Sequence, residues 1–213
     1  MRALTVNDLG RDAGYSEVLA LQERLHRQRV AGEIPDTVLL LEHRPVYTLG
    51  RSASADNILY SEEAMRQAGI ERVATTRGGD VTYHGSGQLV GYPIIHLGEA
   101  GLRVIEYVTA LEETLIRAVA RYGIAAGRDA RNRGVWVGDD KLAALGIRVS
   151  RQVTMHGFAL NVTTHLEDYR GIVACGLMNA GVTSMSRLLG REPDMAEVKT
   201  RVAEAFRGVF GYG

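Results

Sequence analysis

Two side chains of this 213-residue sequence could together perform acyl chemistry, Cys175 and Lys141. Cys175 is the only cysteine of the chain, and it follows an apolar run in GIVACGL. A free thiol with a pKa near ~8.5 is only slightly ionised at neutral pH, so a nucleophilic cysteine needs a base or a cation beside it. A desolvated lysine can take the proton and hold the thiolate as an ion pair. Such a pair suits transfer of an acyl group from a thioester to an amine, because thioester exchange is nearly thermoneutral and amide formation is downhill.

Lysine is rare in this chain, which has 25 basic residues of which only Lys141 and Lys199 are lysines. Lys199 lies in a polar, predicted helical stretch and is expected at the surface. Lys141 opens the segment KLAALGIRV. If this segment is a strand, its period of two places Lys141 on the same face as four apolar residues: Ala143, Leu145, Ile147 and Val149. A buried ammonium is costly unless it is paired or loses its proton, so this position favours a functional lysine.

Each of the two residues also has a structural interpretation. The Lys141 side chain could extend past the preceding turn to water, or it could pair with Asp139 or Asp140. A single cysteine is most often a small buried apolar residue. It is the presence of both residues in one chain that favours a nucleophile and its base.

A glycine-rich segment at 77–93 reads RGGDVTYHGSGQLVGYP and mixes five glycines with polar side chains. Glycines let the backbone approach a ligand closely, while the polar side chains supply donors and acceptors. The alternative is a surface loop with turn glycines. No nucleotide-binding motif is present in this segment. His84 and His156 each precede a glycine, and because no third ligand stands at a usual spacing, we expect them to form hydrogen bonds and expect no metal site.

Composition excludes several classes of protein. The 25 acidic and 25 basic residues give a formal net charge of zero, which argues against a dedicated nucleic-acid binder. No apolar run of about 18 residues predicts a transmembrane helix, and the sequence MRALTVNDLG lacks the layout of a secretory signal. One cysteine excludes an intrachain disulfide framework. We therefore expect a cytoplasmic protein. A monomer is the expected oligomeric state, although composition does not determine it.

Periodicity and capping residues predict the elements that must position these side chains. Helices are predicted at 15–30, from Ser61 to Gly69, at 102–122 and from Pro193 to the C-terminal region. The apolar stripe predicted for the helix at 102–122 comprises Val104, Val108, Leu111, Leu115 and Val119. Strands are predicted at 37–41, 46–49, 71–75, 89–97, 134–137, 141–149 and 153–162. Without regular βαβ alternation, this order favours an α+β fold, with a mixed, largely antiparallel sheet flanked by helices and with residues 1–213 as a single domain.

Three long segments occur in an order that is typical of one family. They are RGGDVTYHGSGQLVGYP, then GVWVGDDKLAALGIRV followed by VTMHGFALNV, and finally GIVACGL followed by VTSM. In these segments the sequence resembles the octanoyltransferases of lipoate biosynthesis, also called lipoyl/octanoyl transferases. The resemblance extends over nearly the whole chain.

The resemblance implies a fold shared with the catalytic domains of biotin and lipoate protein ligases, and it implies no cofactor. It also implies a reaction. An octanoyl group leaves octanoyl-acyl carrier protein, acylates the enzyme, and passes to a lysine of a lipoyl domain. The acceptors would be the E2 subunits of 2-oxoacid dehydrogenases and the glycine cleavage H protein, and no nucleic acid or membrane would take part.

The resemblance also assigns roles to residues of this chain. Cys175 would carry the acyl group as a thioester, and Lys141 would lower the pKa of that thiol and act as base. The remaining matched positions would bind substrate: Arg77, Gly78, Gly79, Asp80, Val81, Thr82, Tyr83, His84, Ala144, Leu145, Gly146, Gly157, Phe158 and Ala159. The chain departs from the family at Ser86 and Ala174, where proline is usual, which would change loop stiffness and not a reacting group.

Two other functions remain open on the sequence. An ATP-dependent lipoate or biotin protein ligase would share the fold but would need no cysteine. A non-catalytic acyl-binding module would bind octanoyl-acyl carrier protein without becoming acylated. In addition, the cluster Arg128, Arg131 and Arg133 is either a docking site for the acidic carrier protein or a solvated loop.

Overall fold

The computed structural model describes residues 2–173 and 181–213. In these ranges the helices are α1 (Tyr15–Val30), α2 (Glu62–Gln67), α3 (Leu97–Ala100), α4 (Val104–Ala120), α5 (Met185–Leu189) and α6 (Met195–Phe210). The strands are β1 (Leu4–Asp8), β2 (Asp36–Leu41), β3 (Val46–Leu49), β4 (Glu71–Ala74), β5 (Val81–His84), β6 (Gln88–Ile94), β7 (Gly127–Asp129), β8 (Asn132–Val137), β9 (Asp140–Ser150), β10 (Val153–Asn161) and β11 (Gly181–Val182). Two 3₁₀ turns lie at Ala55–Asn57 and Leu166–Gly171.

The strands form two sheets. The large sheet has the order β1-β2-β6-β10-β9-β8-β7, and β11 pairs with β9. Its β1–β2 and β9–β11 pairs are parallel and the other pairs are antiparallel. The small sheet has the order β4-β3-β5. The predicted α+β fold with a mixed, largely antiparallel sheet is therefore confirmed.

Helices cover both faces of the large sheet. On one face α4 and α6 pack on each other and bury an apolar core that includes Leu111, Leu115 and Phe206. On the other face α1 packs against β6 and β10, and Val18 meets Tyr92 and neighbouring apolar residues there. The long helices thus leave one end of the β9–β10 surface to be covered by the segment that contains β5.

The small sheet carries the glycine-rich segment. Tyr47 and Tyr83 pack edge to face in its core together with Ile172. The Tyr83 hydroxyl donates to Asp168 Oδ2 at 2.7 Å, and the Tyr47 hydroxyl donates to the Asp168 carbonyl at 2.6 Å. These contacts attach β3 and β5 to the 3₁₀ turn at Leu166–Gly171.

Local patterns predicted most boundaries to within two residues, and three expectations were wrong. The strand predicted at 89–97 ends at Ile94, because the His96 side chain caps α3. Val104 is exposed at the start of α4 and is not part of its buried stripe. Lys199 is buried, because its amine donates to Asp8 Oδ1 at 2.7 Å across the interface between α6 and β1.

Along the described ranges, every helix is too short or too polar to cross a lipid bilayer.

Candidate active site

A cavity of about 320 Å³ lies between the β9–β10 surface and the segment 77–84. This volume falls at the lower end of the range for small-ligand sites. Of the fourteen predicted binding residues, all except Gly78 and Tyr83 line the cavity. The other described residues that line it are Tyr15, Ser52, Tyr92, Asn132 and His156.

Small residues on paired strands form part of the floor of the cavity, beside Leu145 and Phe158 of the same strands. Ala144 of β9 lies opposite Ala159 of β10, and Gly146 lies opposite Gly157. A Cβ at Gly146 would lie 3.1 Å from Arg77 Cδ, so a side chain there would fill the space between floor and wall. This part of the floor is therefore narrow and apolar, and only small side chains keep it open.

The opposite wall is held by backbone and hydroxyl contacts. The Arg77 guanidinium donates to the Thr48 carbonyl at 2.6 Å and to Thr48 Oγ1 at 2.9 Å. The Gly78 N–H donates to the Ile147 carbonyl at 2.9 Å, which joins the wall to β9. Asp80 accepts from Asn57 Nδ2 at 2.6 Å. Gly78 and Tyr83 thus support the wall from behind, and no pattern in the sequence separates them from residues that face the cavity.

His84 has a defined tautomer. Gln88 Nε2 contacts the Tyr83 carbonyl at 3.1 Å and Asn161 Oδ1 at 2.9 Å, so Gln88 Oε1 faces the imidazole. His84 Nδ1 therefore donates to Gln88 Oε1 at 2.8 Å, and Nε2 is the acceptor nitrogen. Burial holds the pKa of His84 well below its usual value. The expected hydrogen-bonding role of this histidine agrees with its place in the network.

His156 has a backbone conformation that is rare for a residue with a side chain. Its φ is 58°, although it lies within β10. Its backbone N–H donates to Gln22 Oε1 of α1 at 2.9 Å, and its ring meets the Tyr92 ring edge to face. Strand alternation alone would turn His156 away from the face of Gly157, so the left-handed backbone places it at the cavity.

A second hydrogen-bonded chain lies beside Tyr92. The Tyr92 hydroxyl donates to His43 Nε2 at 2.8 Å, and His43 Nδ1 donates to the Ala13 carbonyl at 3.0 Å. Burial lowers the pKa of His43 to about 4, and burial together with the nearby Arg77 and Arg148 lowers that of His156 to about 4. Both imidazoles are therefore neutral hydrogen-bonding groups at physiological pH.

These neutral histidines predict acid sensitivity. In the unfolded chain a histidine has a pKa near ~6.5, so between pH ~6.5 and about 4 the unfolded state binds protons that the native state does not. The free energy of unfolding should fall as the pH falls through this window, by about 1.4 kcal/mol per pH unit for each buried histidine. Urea unfolding at several pH values measures the slope.

The variant His43→Gln keeps polar atoms at the site and removes one titrating group. We expect it to lower that slope by about one proton. Exposed His165→Gln is the matched control and is expected to keep the slope of the native chain. An unchanged slope in His43→Gln would contradict the low pKa of His43.

Lys141 is buried between two strands; it is not one of the residues that line the cavity, but it contacts Asn132, which is. On one side Trp136 of β8 lies opposite Lys141, and on the other side Val182 of β11 pairs with it. Lys141 Nζ donates to Asn132 Oδ1 at 2.9 Å and lies 4.7 Å from the centre of the Trp136 ring. The side chain is 7% exposed, so the structure does not support extension into water. The sequence placed Lys141 on one face with Ala143 by a strand period of two. A shift in the β8–β9 register between Val135 and Trp136 interrupts that period beside Lys141.

Cys175, Ala174 and the segment GIVACGL beyond Val173 lie outside the described residues. The described chain on both sides of 174–180 pairs with residues close to the cavity lining, because Asn57 contacts Asp80 and Lys141 contacts Asn132. The Val173 N–H donates to the Asn57 carbonyl at 2.8 Å, and Gly181 pairs with Asp140, next to Lys141.

A family model for the lipoyl protein ligase A/B catalytic domain matches residues 14–207. This chain belongs to that family. The octanoyltransferase of Caldicellulosiruptor saccharolyticus is 50% identical over 92% of this chain and 85% of its own length. The octanoyltransferase of Syntrophobacter fumaroxidans is 49% identical over 92% of this chain and 86% of its own length. The predicted resemblance to octanoyltransferases is confirmed, and with it the class of enzyme, an acyltransferase.

Solved structures of lipoate and biotin protein ligases share the fold. Lipoate-protein ligase A bound with ATP superposes with a TM-score of 0.82 at 14% identity, over 99% of this chain and 86% of the other. Biotin protein ligase from Aquifex aeolicus gives a TM-score of 0.55 at 13% identity, over 99% of this chain and 70% of the other. The predicted similarity to biotin and lipoate protein ligase catalytic domains is therefore confirmed for the fold.

The arginine cluster is engaged within the chain. Arg128 and Arg133 contact the buried carboxylate of Glu112 at 3.2 and 3.3 Å. Arg131 pairs with Asp129 at 2.6 Å and with Asp139 at 3.0 Å. These contacts assign the cluster to the support of β7 and β8, and they do not favour a docking site for an acidic carrier.

Proposed function

We propose that this enzyme transfers an octanoyl group from octanoyl-acyl carrier protein to a lysine of lipoyl domains through a thioester on Cys175. The observation that carries the proposal is the position of β11. Gly181 and Val182 lie beside Asp140 and Lys141, so the chain that follows Cys175 returns to the buried lysine. Gly181 lies six positions after Cys175, and six residues can span at most about 20 Å. A chain of this length permits the Cys175 thiol to approach the Lys141 amine, as the proposal requires.

Cys175 and Lys141 together account for both steps of the proposed acyl transfer. The Cys175 thiolate attacks the carbonyl carbon of the donor thioester, and the bond from that carbon to the carrier sulfur breaks. The Lys141 ammonium gives its proton to the departing carrier thiolate. The nitrogen of the acceptor amine then attacks the acyl-enzyme, and neutral Lys141 takes a proton from that amine. Cleavage of the Cys175 thioester restores the thiolate and ammonium pair, and the product is an amide.

The cavity suits a medium acyl chain. The part of its floor formed by Ala144, Gly146, Gly157 and Ala159 is apolar and lacks bulky side chains. Burial of most of an eight-carbon chain is worth on the order of 5 kcal/mol at about 0.8 kcal/mol per methylene. The binding roles proposed for the fourteen positions rest on this placement, with Gly78 and Tyr83 acting from behind the wall.

The proposal also names the acceptor proteins, the domain organisation and the oligomeric state. The acceptors are the lipoyl domains of E2 subunits of 2-oxoacid dehydrogenases and the glycine cleavage H protein. One relative of known structure, at 13% identity, is a bi-partite lipoate protein ligase from Thermoplasma acidophilum that was described with its E2 lipoyl domain. We further propose that residues 1–213 are one catalytic domain that acts as a monomer in the cytoplasm without a cofactor.

Intact-protein mass spectrometry after mixing with octanoyl-acyl carrier protein tests the proposal. We expect one octanoyl adduct, which disappears when a lipoyl domain is added as the domain gains the octanoyl group. Binding of the donor without an adduct would instead identify a non-catalytic acyl-binding module. Octanoylation or lipoylation that requires ATP and the free acid would identify a ligase and overturn the proposal.

A further inference from the structure

Among the described residues, the Lys141 amine contacts the side chains of Asn132 and Trp136, and the three form a cluster. Its Nζ donates to Asn132 Oδ1 at 2.9 Å and lies 4.7 Å from the centre of the Trp136 ring. The Trp136 indole Nε1–H donates in turn to the Asn132 carbonyl at 3.1 Å. Asn132 also lines the cavity, so the cluster stands at the cavity edge.

We propose that Asn132 and Trp136 are positioning residues that hold the Lys141 amine where the acyl group is transferred. This inference rests on the proposed function, which gives Lys141 its role. The amide oxygen and the ring face both attract an ammonium, and neither brings a negative charge that would compete with a thiolate for it. A long, flexible lysine side chain is thereby kept in one place before the substrate arrives.

The cluster is anchored from the protein surface. Asn132 lies opposite Asp129 in the β7–β8 hairpin. The Arg131 guanidinium lies 5.3 Å from the centre of the Trp136 ring, and its own contacts are to Asp129 and Asp139. Trp136 is 3% exposed, so its ring has little freedom to move.

Gly134 leaves the space that the lysine stem occupies. A Cβ at this position would lie 3.3 Å from Lys141 Cε and 2.6 Å from the Ala143 carbonyl oxygen. The φ of Gly134 is 148°, which also favours glycine. Its N–H donates to Glu112 Oε1 at 3.1 Å, which fixes this part of β8 to α4. The local backbone is therefore arranged around the stem of Lys141 as well as its amine.

Three variants test the inference. Asn132→Leu removes the acceptor oxygen at similar volume, Trp136→Leu removes the ring, and Trp136→Phe keeps an aromatic face. We expect alkylation of Cys175 by iodoacetamide at neutral pH to slow by about tenfold in the two leucine variants, with the rate profile shifted to higher pH. Trp136→Phe should lie closer to the native profile. Asn7→Leu, at an exposed position of β1, is the matched control.

Fluorescence gives a readout that does not depend on catalysis. Trp136 is the only tryptophan, so its emission should change in Lys141→Met and in Asn132→Leu but not in Asn7→Leu. If native protein forms no acyl adduct, the proposed function is wrong. The positioning inference is overturned by a different result. In that result the adduct forms and Lys141→Met shifts the alkylation profile, but folded Asn132→Leu and Trp136→Leu both keep the native profile. Circular dichroism checks that each variant is folded. If one leucine variant does not fold, the other leucine variant and the Trp136 emission of Lys141→Met decide the inference. An emission spectrum of Lys141→Met identical to that of the native protein would also overturn the inference.

Discussion

Replacement of Cys175 by serine should abolish the acyl-enzyme that is labile to hydroxylamine. A serine hydroxyl is a far weaker nucleophile than a thiolate at neutral pH, and a lysine amine does not ionise it to a comparable extent. Octanoyl transfer to a lipoyl domain should fall by at least about a thousandfold, toward the background rate. Intact-mass measurement with octanoyl-acyl carrier protein, before and after hydroxylamine, checks the result.

Binding separates this loss from a failure to fold. Because the floor of the cavity is built from β9 and β10, Cys175→Ser should still bind the octanoyl donor and should unfold at the native urea concentration. An octanoyl adduct that forms as readily in Cys175→Ser would refute the assignment of the nucleophile, since that variant contains no thiol.

Replacement of Lys141 by methionine should have the second largest effect. Methionine keeps an unbranched apolar stem beside Trp136 and removes the amine. Without the ammonium the thiolate of Cys175 loses its counter-charge, so its alkylation at neutral pH should slow by about ten- to a hundredfold and its rate profile should move to higher pH. Stopped alkylation reactions across a pH series measure this shift.

The chain supplies a matched control for that experiment. Lys199 is the only other lysine, it is also buried, and it pairs with Asp8 on the far side of the sheet. Lys199→Met should lower the free energy of unfolding by at most about 1 kcal/mol, because the Asp8 carboxylate is exposed and still accepts from the Gly10 N–H, and it should keep the alkylation profile. An identical, native profile in both lysine variants would remove Lys141 from the mechanism.

Local patterns in the sequence were sufficient for most of the secondary structure. The α1 boundaries at Tyr15 and Val30 and the β3 boundaries at Val46 and Leu49 match the prediction, because periodicity and breakers act between near neighbours. Short elements were missed, among them β1 and β11. Each consists of a few residues that are extended only because a distant strand pairs with them.

The sequence by itself determined the candidate chemistry. A single cysteine, two lysines and a glycine-rich polar segment restricted the nucleophile, its base and the binding segment to a few positions. These inferences depend only on residue types and on spacing along the chain, which every copy of the sequence carries before it folds. They did not separate Tyr83, which supports the wall, from His84, which faces the cavity.

Only the tertiary structure decided which side chains share the cavity. Tyr15 reaches it from α1, and His156 reaches it through a left-handed backbone that strand alternation does not predict. Lys141 meets Asn132 and Trp136 because a register shift between β8 and β9 brings them together. Such meetings depend on the pairing of distant strands, and that pairing is set by the burial of the whole core and not by any local pattern.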